Sequence, residues 1–177
     1  QFPNNLINSS QGGYITIMIT PQIGNCTGNP QQVSVMVNPI PSITTITENN
    51  NSICNNQFAT ITANSNSATE YYWQVNTANG VQIVGGATNG TSTTGLINVQ
   101  LALINSLTAG TISFNITPVN GICIGATITT AIITVNPTPV VSVNSPSICI
   151  GNSATLTATG ATTYLWSTGE TGNTISV

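Results

Sequence analysis

Cys26, Cys54, Cys123 and Cys149 carry the most reactive side chains in this 177-residue sequence. A thiol can attack as a nucleophile, bind metal or join a second thiol. Nucleophilic catalysis needs a base to draw off the proton, and the chain has no His, Lys or Arg. Metal binding needs companions at ligand spacing, yet there is no Cys-x-x-Cys pair, no His and no Asp. Disulfides are left, and they imply an oxidising compartment. The only other groups able to do chemistry are three carboxylates, Glu48, Glu70 and Glu170. Glu48 and Glu70 could in principle act as the acid–base pair of a glycoside hydrolase. Neither is repeated where the chain repeats itself: Thr163 stands opposite Glu70. The expectation is solvated glutamates at a loop and a strand edge, no metal, no cofactor and no enzyme.

Absent charge closes further functions. With no cationic side chain, nothing neutralises nucleic-acid phosphates or anionic lipid headgroups. Hydrophobic residues make up 40% of the chain, but no run of about 18 apolar residues exists to span a bilayer. Thr, Ser or Asn interrupts the apolar segments at nearly every second residue. With 30 Thr and 24 Asn, solubility must rest on hydroxyls and amides. Gln1-Phe2-Pro3 does not open a signal peptide, so a secretion signal is expected outside these residues.

The elements that position the cysteines are copied. Ile104-Asn105-Ser106 repeats Ile7-Asn8-Ser9, Ile116-Thr117-Pro118 repeats Ile19-Thr20-Pro21, and Cys123 repeats Cys26, each 97 residues on. Val135-Asn136-Pro137 repeats Val37-Asn38-Pro39 at 98, Ser147-Ile148-Cys149 repeats Ser52-Ile53-Cys54 at 95, and Trp166 repeats Trp73 at 93. So small a drift means short loop insertions in one structural unit. Residues 39–136 are expected to form a complete copy. Residues 1–38 would be the C-terminal part of a preceding copy, and residues 137–177 the N-terminal part of a following one.

No segment has a sustained helical period. Short alternating runs rich in β-branched residues, separated by Gly, Asn and Pro, predict an all-β fold of tandem sandwiches of about 97 residues. Strands are expected near Ser42–Thr47, Phe58–Ala63, Tyr71–Val75, Val81–Val84, Ile97–Leu103, Thr111–Thr117 and Ala126–Val135. In the second, Ala59 and Ile61 share one face and Phe58 and Thr60 the other. The last strand is expected to bury Ile128 and Ile132. Val119-Asn120-Gly121-Ile122 reads as a hairpin turn through Asn-Gly, and Ala109-Gly110 as a corner between sheets. Trp73 and Trp166 are expected on the third strand of their copies, at the core centre. The alternative, a sugar-stacking platform, fits a fixed position in every copy less well.

Several segments together resemble a known group: Val135-Asn136-Pro137-Thr138-Pro139, Ile148-Cys149-Ile150-Gly151 followed by Ala154-Thr155-Leu156-Thr157-Ala158, and Tyr164-Leu165-Trp166-Ser167-Thr168-Gly169. They are similar to the PKD-like and Ig-like tandem repeats of large Bacteroidota cell-surface adhesins, the SprB-type gliding adhesins among them. The resemblance implies secretion by the type IX route, a cell-surface location and a role as adhesin or stalk. It covers the whole chain. The PKD hallmark Trp-x-Phe-Gly-Asp-Gly is replaced by Trp73-Gln74-Val75-Asn76 and Trp166-Ser167-Thr168-Gly169, so the likeness transfers no binding residue.

Two disulfide connectivities are open. Cys54 could bond Cys123 within one copy under some other topology. In immunoglobulin topology, however, Cys54 lies at the turn between the first two strands and Cys123 just past the hairpin of the last two. Those turns are at opposite ends, about eight residues of roughly 3.3 Å apart, whereas a disulfide needs Cα atoms about 4.4–6.8 Å apart. A bond from Cys54 to the next copy's equivalent of Cys123 is therefore preferred. Between copies, Pro39 with Pro41 and Pro137 with Pro139 restrict φ and make short, semi-rigid joints.

The expected function is a structural repeat segment of an extracellular adhesin or filament, a disulfide-stiffened rod that projects an adhesive element. Its partners would be neighbouring repeats of the same protein. Two alternatives are a multivalent weak binder of polysaccharide or abiotic surfaces, and a self-assembling filament subunit in which residues 137–177 meet residues 1–38 of another chain. Sequons at Asn8, Asn25, Asn50, Asn89 and Asn115 are what chance supplies in so Asn- and Thr-rich a chain.

Overall fold

A computed structural model describes residues 12–177; the Ile7-Asn8-Ser9 copy, the sequon at Asn8 and the start of the expected preceding copy lie outside the described residues. The described residues form strands and no helix. The chain divides into two compact units, Gln1–Asn136 and Pro137–Val177.

The described part of the first unit begins with a two-stranded ribbon. β1 (Gly13–Ile19) leads through a small hairpin, β2 (Gln22–Ile23) and β3 (Cys26–Thr27), into β4 (Gln31–Val37). β1 and β4 pair antiparallel from Gly13↔Val37 to Ile19↔Gln31. Gly24 turns the small hairpin at φ 56°, a left-handed angle that suits glycine. Ile17, Met18, Val33 and Val35 stay exposed, so the ribbon carries apolar side chains that nothing in it covers.

After the ribbon come β5 (Ile43–Glu48), β6 (Ser52–Cys54), β7 (Phe58–Ser65), β8 (Glu70–Asn79), β9 (Val81–Ile83), β10 (Asn89–Ser92), β11 (Leu96–Leu103), β12 (Gly110–Asn120), β13 (Cys123–Ile124), β14 (Ile128–Thr129) and β15 (Ile133–Asn136). They build two sheets. One has the order β5-β7-β11-β9; the other runs β10-β8-β12-β15-β6, with β13 and β14 also paired to β12. The inward faces share one core: Ala59 and Ile61 from β7, Ile97 and Leu101 from β11, Ile112, Phe114 and Ile116 from β12, and Ile133 and Val135 from β15. This is a β-sandwich. Strict alternation in β7 works as the pattern requires, with Ala59, Ile61 and Ala63 buried and Phe58 exposed.

Three expectations need correction. The last strand is broken, not continuous: Ile128 and Ile132 are exposed, while Thr130, Ile133 and Val135 are buried. The physical cause is Thr130, whose N–H donates to Phe114 O at 2.8 Å while its Oγ1 accepts the Phe114 N–H at 3.0 Å and donates to Ala131 O at 2.9 Å. That local detour reverses which side chains face the core. The hairpin after β12 turns on Gly121 and Ile122, because Asn120 already pairs with Cys123, and the positive φ falls on Gly121 at 60°. The chain crosses between the sheets at Ala109-Gly110, between β11 and β12, as expected, and crosses also at Asn79-Gly80-Val81, against which Gly110 packs, its missing side chain leaving room for Asn79 O and Val81. Trp73 is only partly buried; fully buried Phe114 holds the centre, meeting the Trp73 ring edge-on at 6.0 Å.

The second unit is small. β16 (Ser142–Val143), β17 (Thr155–Thr159) and β18 (Thr174–Ser176) form a sheet in that order, burying Ala158 and Ile175. Trp166 is on no strand here. It follows the Leu165↔Thr171 bridge, half-buried, and its Nε1 donates to Gly172 O at 2.9 Å.

Candidate functional site

The chemistry-bearing residues of the complete sandwich gather at its two ends. At the downstream end, β6 lies parallel to β15 in the register Thr134↔Ser52, Val135↔Ile53 and Asn136↔Cys54. Asn136 Nδ2 donates to Ser52 Oγ at 2.8 Å, and the Asn55 N–H donates to Asn136 O at 2.8 Å. Cys54 is thus held beside the last residue of the sandwich, with its side chain exposed. Sequence reading missed β6, because three residues are too few to show a period.

At the upstream end, the β12–β13 hairpin folds over the chain that precedes the sandwich. Cys123, partly buried, directs its Sγ to Asn38 O at 3.6 Å. The adjacent segment is packed in: Pro41 is fully buried, and Pro41 O lies where a side chain on Gly125 would be. Pro39 is half-buried beside it, whereas Pro139 in the second unit is exposed and Pro137 half-buried. The first proline pair is thus part of the sandwich wall as well as a connector.

β12 is 11 residues long and spans the distance between these ends, about 35 Å at ~3.3 Å per residue. Cys54 lies just past Gly110 at one end, because Gly110 pairs with Val135; Cys123 pairs with Asn120 at the other. A bond between them within one sandwich is ruled out by that length, since disulfide Cα atoms approach to about 4.4–6.8 Å. All four cysteines are free thiols, with Cys26 and Cys149 exposed. None of the expected disulfides is formed within the chain.

Cys26 occupies the same hairpin as Cys123. Ile23 pairs with Cys26 around Gly24 as Asn120 pairs with Cys123 around Gly121. The Gly28 N–H donates to Pro21 O at 2.8 Å and the Gly125 N–H to Pro118 O at 2.9 Å, equivalent bonds 97 residues apart. At the other motif, Asn56 and Gly151 both take positive φ two residues after Cys54 and Cys149.

The carboxylates do not assemble. Glu48 ends β5 in one sheet and Glu70 begins β8 in the other. Glu48 has a structural contact that sequence reading placed in solvent: its Oε1 accepts the Ala131 N–H at 3.1 Å, next to the break made by Thr130. Glu170 accepts a 2.8 Å bond from Thr168 Oγ1. Among the described residues, no group of three or more His, Cys, Asp or Glu side chains comes together. No described helix is long and apolar enough to cross a membrane.

One further surface is shaped. On the outer face of the larger sheet, Tyr72, Gln74, Asn89, Thr91, Asn115 and Thr117 line an open groove of about 320 Å³. Tyr72 is 44% exposed, and Trp73 next to it turns toward the core. Tyr72 is therefore the more exposed of the two aromatic residues that line the groove, Trp73 being the other. No protein-family model matches this chain, and no curated protein matches it.

Proposed function

We propose that this chain is a structural segment of an extracellular tandem array, a rod of Ig-like sandwiches that carries an adhesive element away from the cell surface. The observation that carries the reading is the polarity of the sandwich: Asn38 enters beside Cys123 at one end, and Asn136 leaves beside Cys54 at the other. Each copy then adds its full length, about 35 Å, to the span. The strand orders fit an Ig-like topology, with the first strand split between sheets as β5 and β6. The duplicated Pro21–Gly28 and Pro118–Gly125 hairpins support repetition. So does the ribbon: Ile15, Ile17 and Ile19 stand 97 residues before Ile112, Phe114 and Ile116, which the sandwich buries. The buried Pro41 and half-buried Pro39 of the joint, with secretion and surface attachment following the family resemblance, complete the reading. Small-angle scattering on arrays of increasing copy number tests it. Maximum dimension should grow by a constant increment near 35–45 Å per copy; a compact, nearly constant dimension would sink the rod.

The Tyr72 groove favours a second reading, weak multivalent binding of neutral polysaccharide. A sugar ring could stack on the phenol while the surrounding amides and hydroxyls bond its hydroxyls, and copy number would supply avidity.

A further inference from the structure

We infer that each joint of the array is crossed by a disulfide, from Cys54 of one repeat to the counterpart of Cys123 in the repeat that follows. The inference rests on the array reading above and identifies its covalent partner.

Asn38 and Asn136 are the same residue of successive copies, in Val37-Asn38-Pro39 and Val135-Asn136-Pro137. The sandwich shows both sides of this asparagine. From its own copy, Asn136 has Cys54 directly alongside in a parallel ladder, and its carbonyl oxygen takes the Asn55 N–H at 2.8 Å. Neighbouring strands in such a ladder are about 4.8 Å apart. From the following copy, the equivalent oxygen, Asn38 O, is the atom toward which Cys123 Sγ points at 3.6 Å. One backbone oxygen therefore lies between two cysteines of different copies. Carrying the Cys54 arrangement onto Asn38 puts a second thiol next to Cys123, on residues with no other partner for sulfur.

Both sides of this arrangement are held by bonds that do not depend on the sulfur atoms. Asn136 Nδ2 bonds Ser52 Oγ, Cys54 N–H donates to Gln57 Oε1 at 3.1 Å, and the β12–β13 hairpin is fixed by the bond from Gly125 to Pro118. The thiols are thus brought together by the backbone before oxidation, which lowers the entropy lost on forming the bond. Oxidation needs a disulfide-bearing oxidant such as oxidised glutathione or a secretory dithiol–disulfide oxidoreductase. One thiolate attacks a sulfur of that disulfide and expels a thiolate. The second cysteine thiolate then attacks the mixed disulfide and expels the other, so two protons and two electrons leave the pair and the oxidant ends as two thiols.

The test extends the intact chain. A second copy of residues 85–136 is appended after Val177, where it continues the copy begun at Pro137. The extended chain is oxidised with a glutathione couple, checked for folding by circular dichroism, and mapped by non-reducing peptide mass spectrometry after pepsin digestion. The expected product joins Cys54 to the appended Cys123, leaving Cys26, the original Cys123 and Cys149 titratable with Ellman's reagent. A peptide joining Cys54 to the original Cys123, or five titratable thiols in a folded chain, would overturn the inference. The unextended chain supplies a measurement independent of whether the added residues fold: under the same couple it must show no Cys54–Cys123 link, and such a link also overturns the proposal. Five free thiols together with a constant scattering increment per copy would sink the disulfide and leave the rod standing; a compact array with the cross-joint bond present would do the opposite.

Discussion

Trp73 lies directly across from Gly90 in the β8–β10 ladder, so close that a Cβ built on Gly90 falls 2.7 Å from the indole ring. Glycine at this edge position lets the tryptophan cover the backbone while its other face meets Phe114. The contact links an exposed edge strand to the centre of the sandwich.

Gly90→Ala should therefore destabilise the sandwich by about 1–3 kcal/mol, the usual cost of forcing a methyl group into a packed site. Urea denaturation followed by tryptophan fluorescence reads it. Combined with Trp73→Phe, which clears the site, the Ala substitution should cost much less than it does alone; full additivity would show that the two residues do not press on each other.

Thr130→Val keeps the shape of the side chain and removes the oxygen that accepts the Phe114 N–H and donates to Ala131 O. A buried donor loses its partner, so the expected loss is about 1–3 kcal/mol. Thr129→Val removes an exposed bond to Asn115 Oδ1 at 2.7 Å and should cost under about 1 kcal/mol. Equal losses in chemical denaturation would contradict the role given to Thr130.

Glu48 joins the end of β5 to the broken strand through the Ala131 N–H. Glu48→Gln retains an acceptor oxygen and should leave the unfolding midpoint nearly unchanged, whereas Glu48→Ala should cost about 1 kcal/mol. Hydrogen exchange at Ala131 distinguishes the two directly: its protection should fall in the alanine variant and persist in the glutamine variant.

If the groove on the larger sheet holds neutral sugar, Tyr72→Ala in a multi-copy array should abolish retention on a polysaccharide matrix that retains the parent. Stability should change little, because the ring is substantially exposed. Unchanged retention would remove the binding reading without touching the mechanical one.

Phe114→Ala should be the most damaging of these changes, about 3–5 kcal/mol, since the side chain is fully buried between the two sheets. The same substitution at Ile17, its exposed equivalent in the ribbon, should cost far less in this chain. Differential scanning calorimetry of the two variants makes the comparison.

Local pattern alone was enough for the all-β class, the alternating face of β7 and the existence of a hairpin at Gly121, because strand period and positive φ are properties of a few consecutive residues. Composition alone was enough to close off chemistry that depends on His or Lys, since absent groups need no geometry. The fate of the last strand was not legible: Thr130 sits in an alternating run, and only its two bonds to Phe114, 16 residues earlier, turn Ile133 inward in place of Ile132. Nor was the choice of Phe114 over Trp73 for the core centre, which depends on how close β10 lies to β8. The cysteines show the division most plainly. Their spacing suggested opposite ends, but placing Cys54 beside Asn136 required a three-residue parallel strand whose partner is 82 residues away in the chain. Which backbone groups meet across a sheet is set by long-range register, and register is decided by the packed core rather than by any window of sequence.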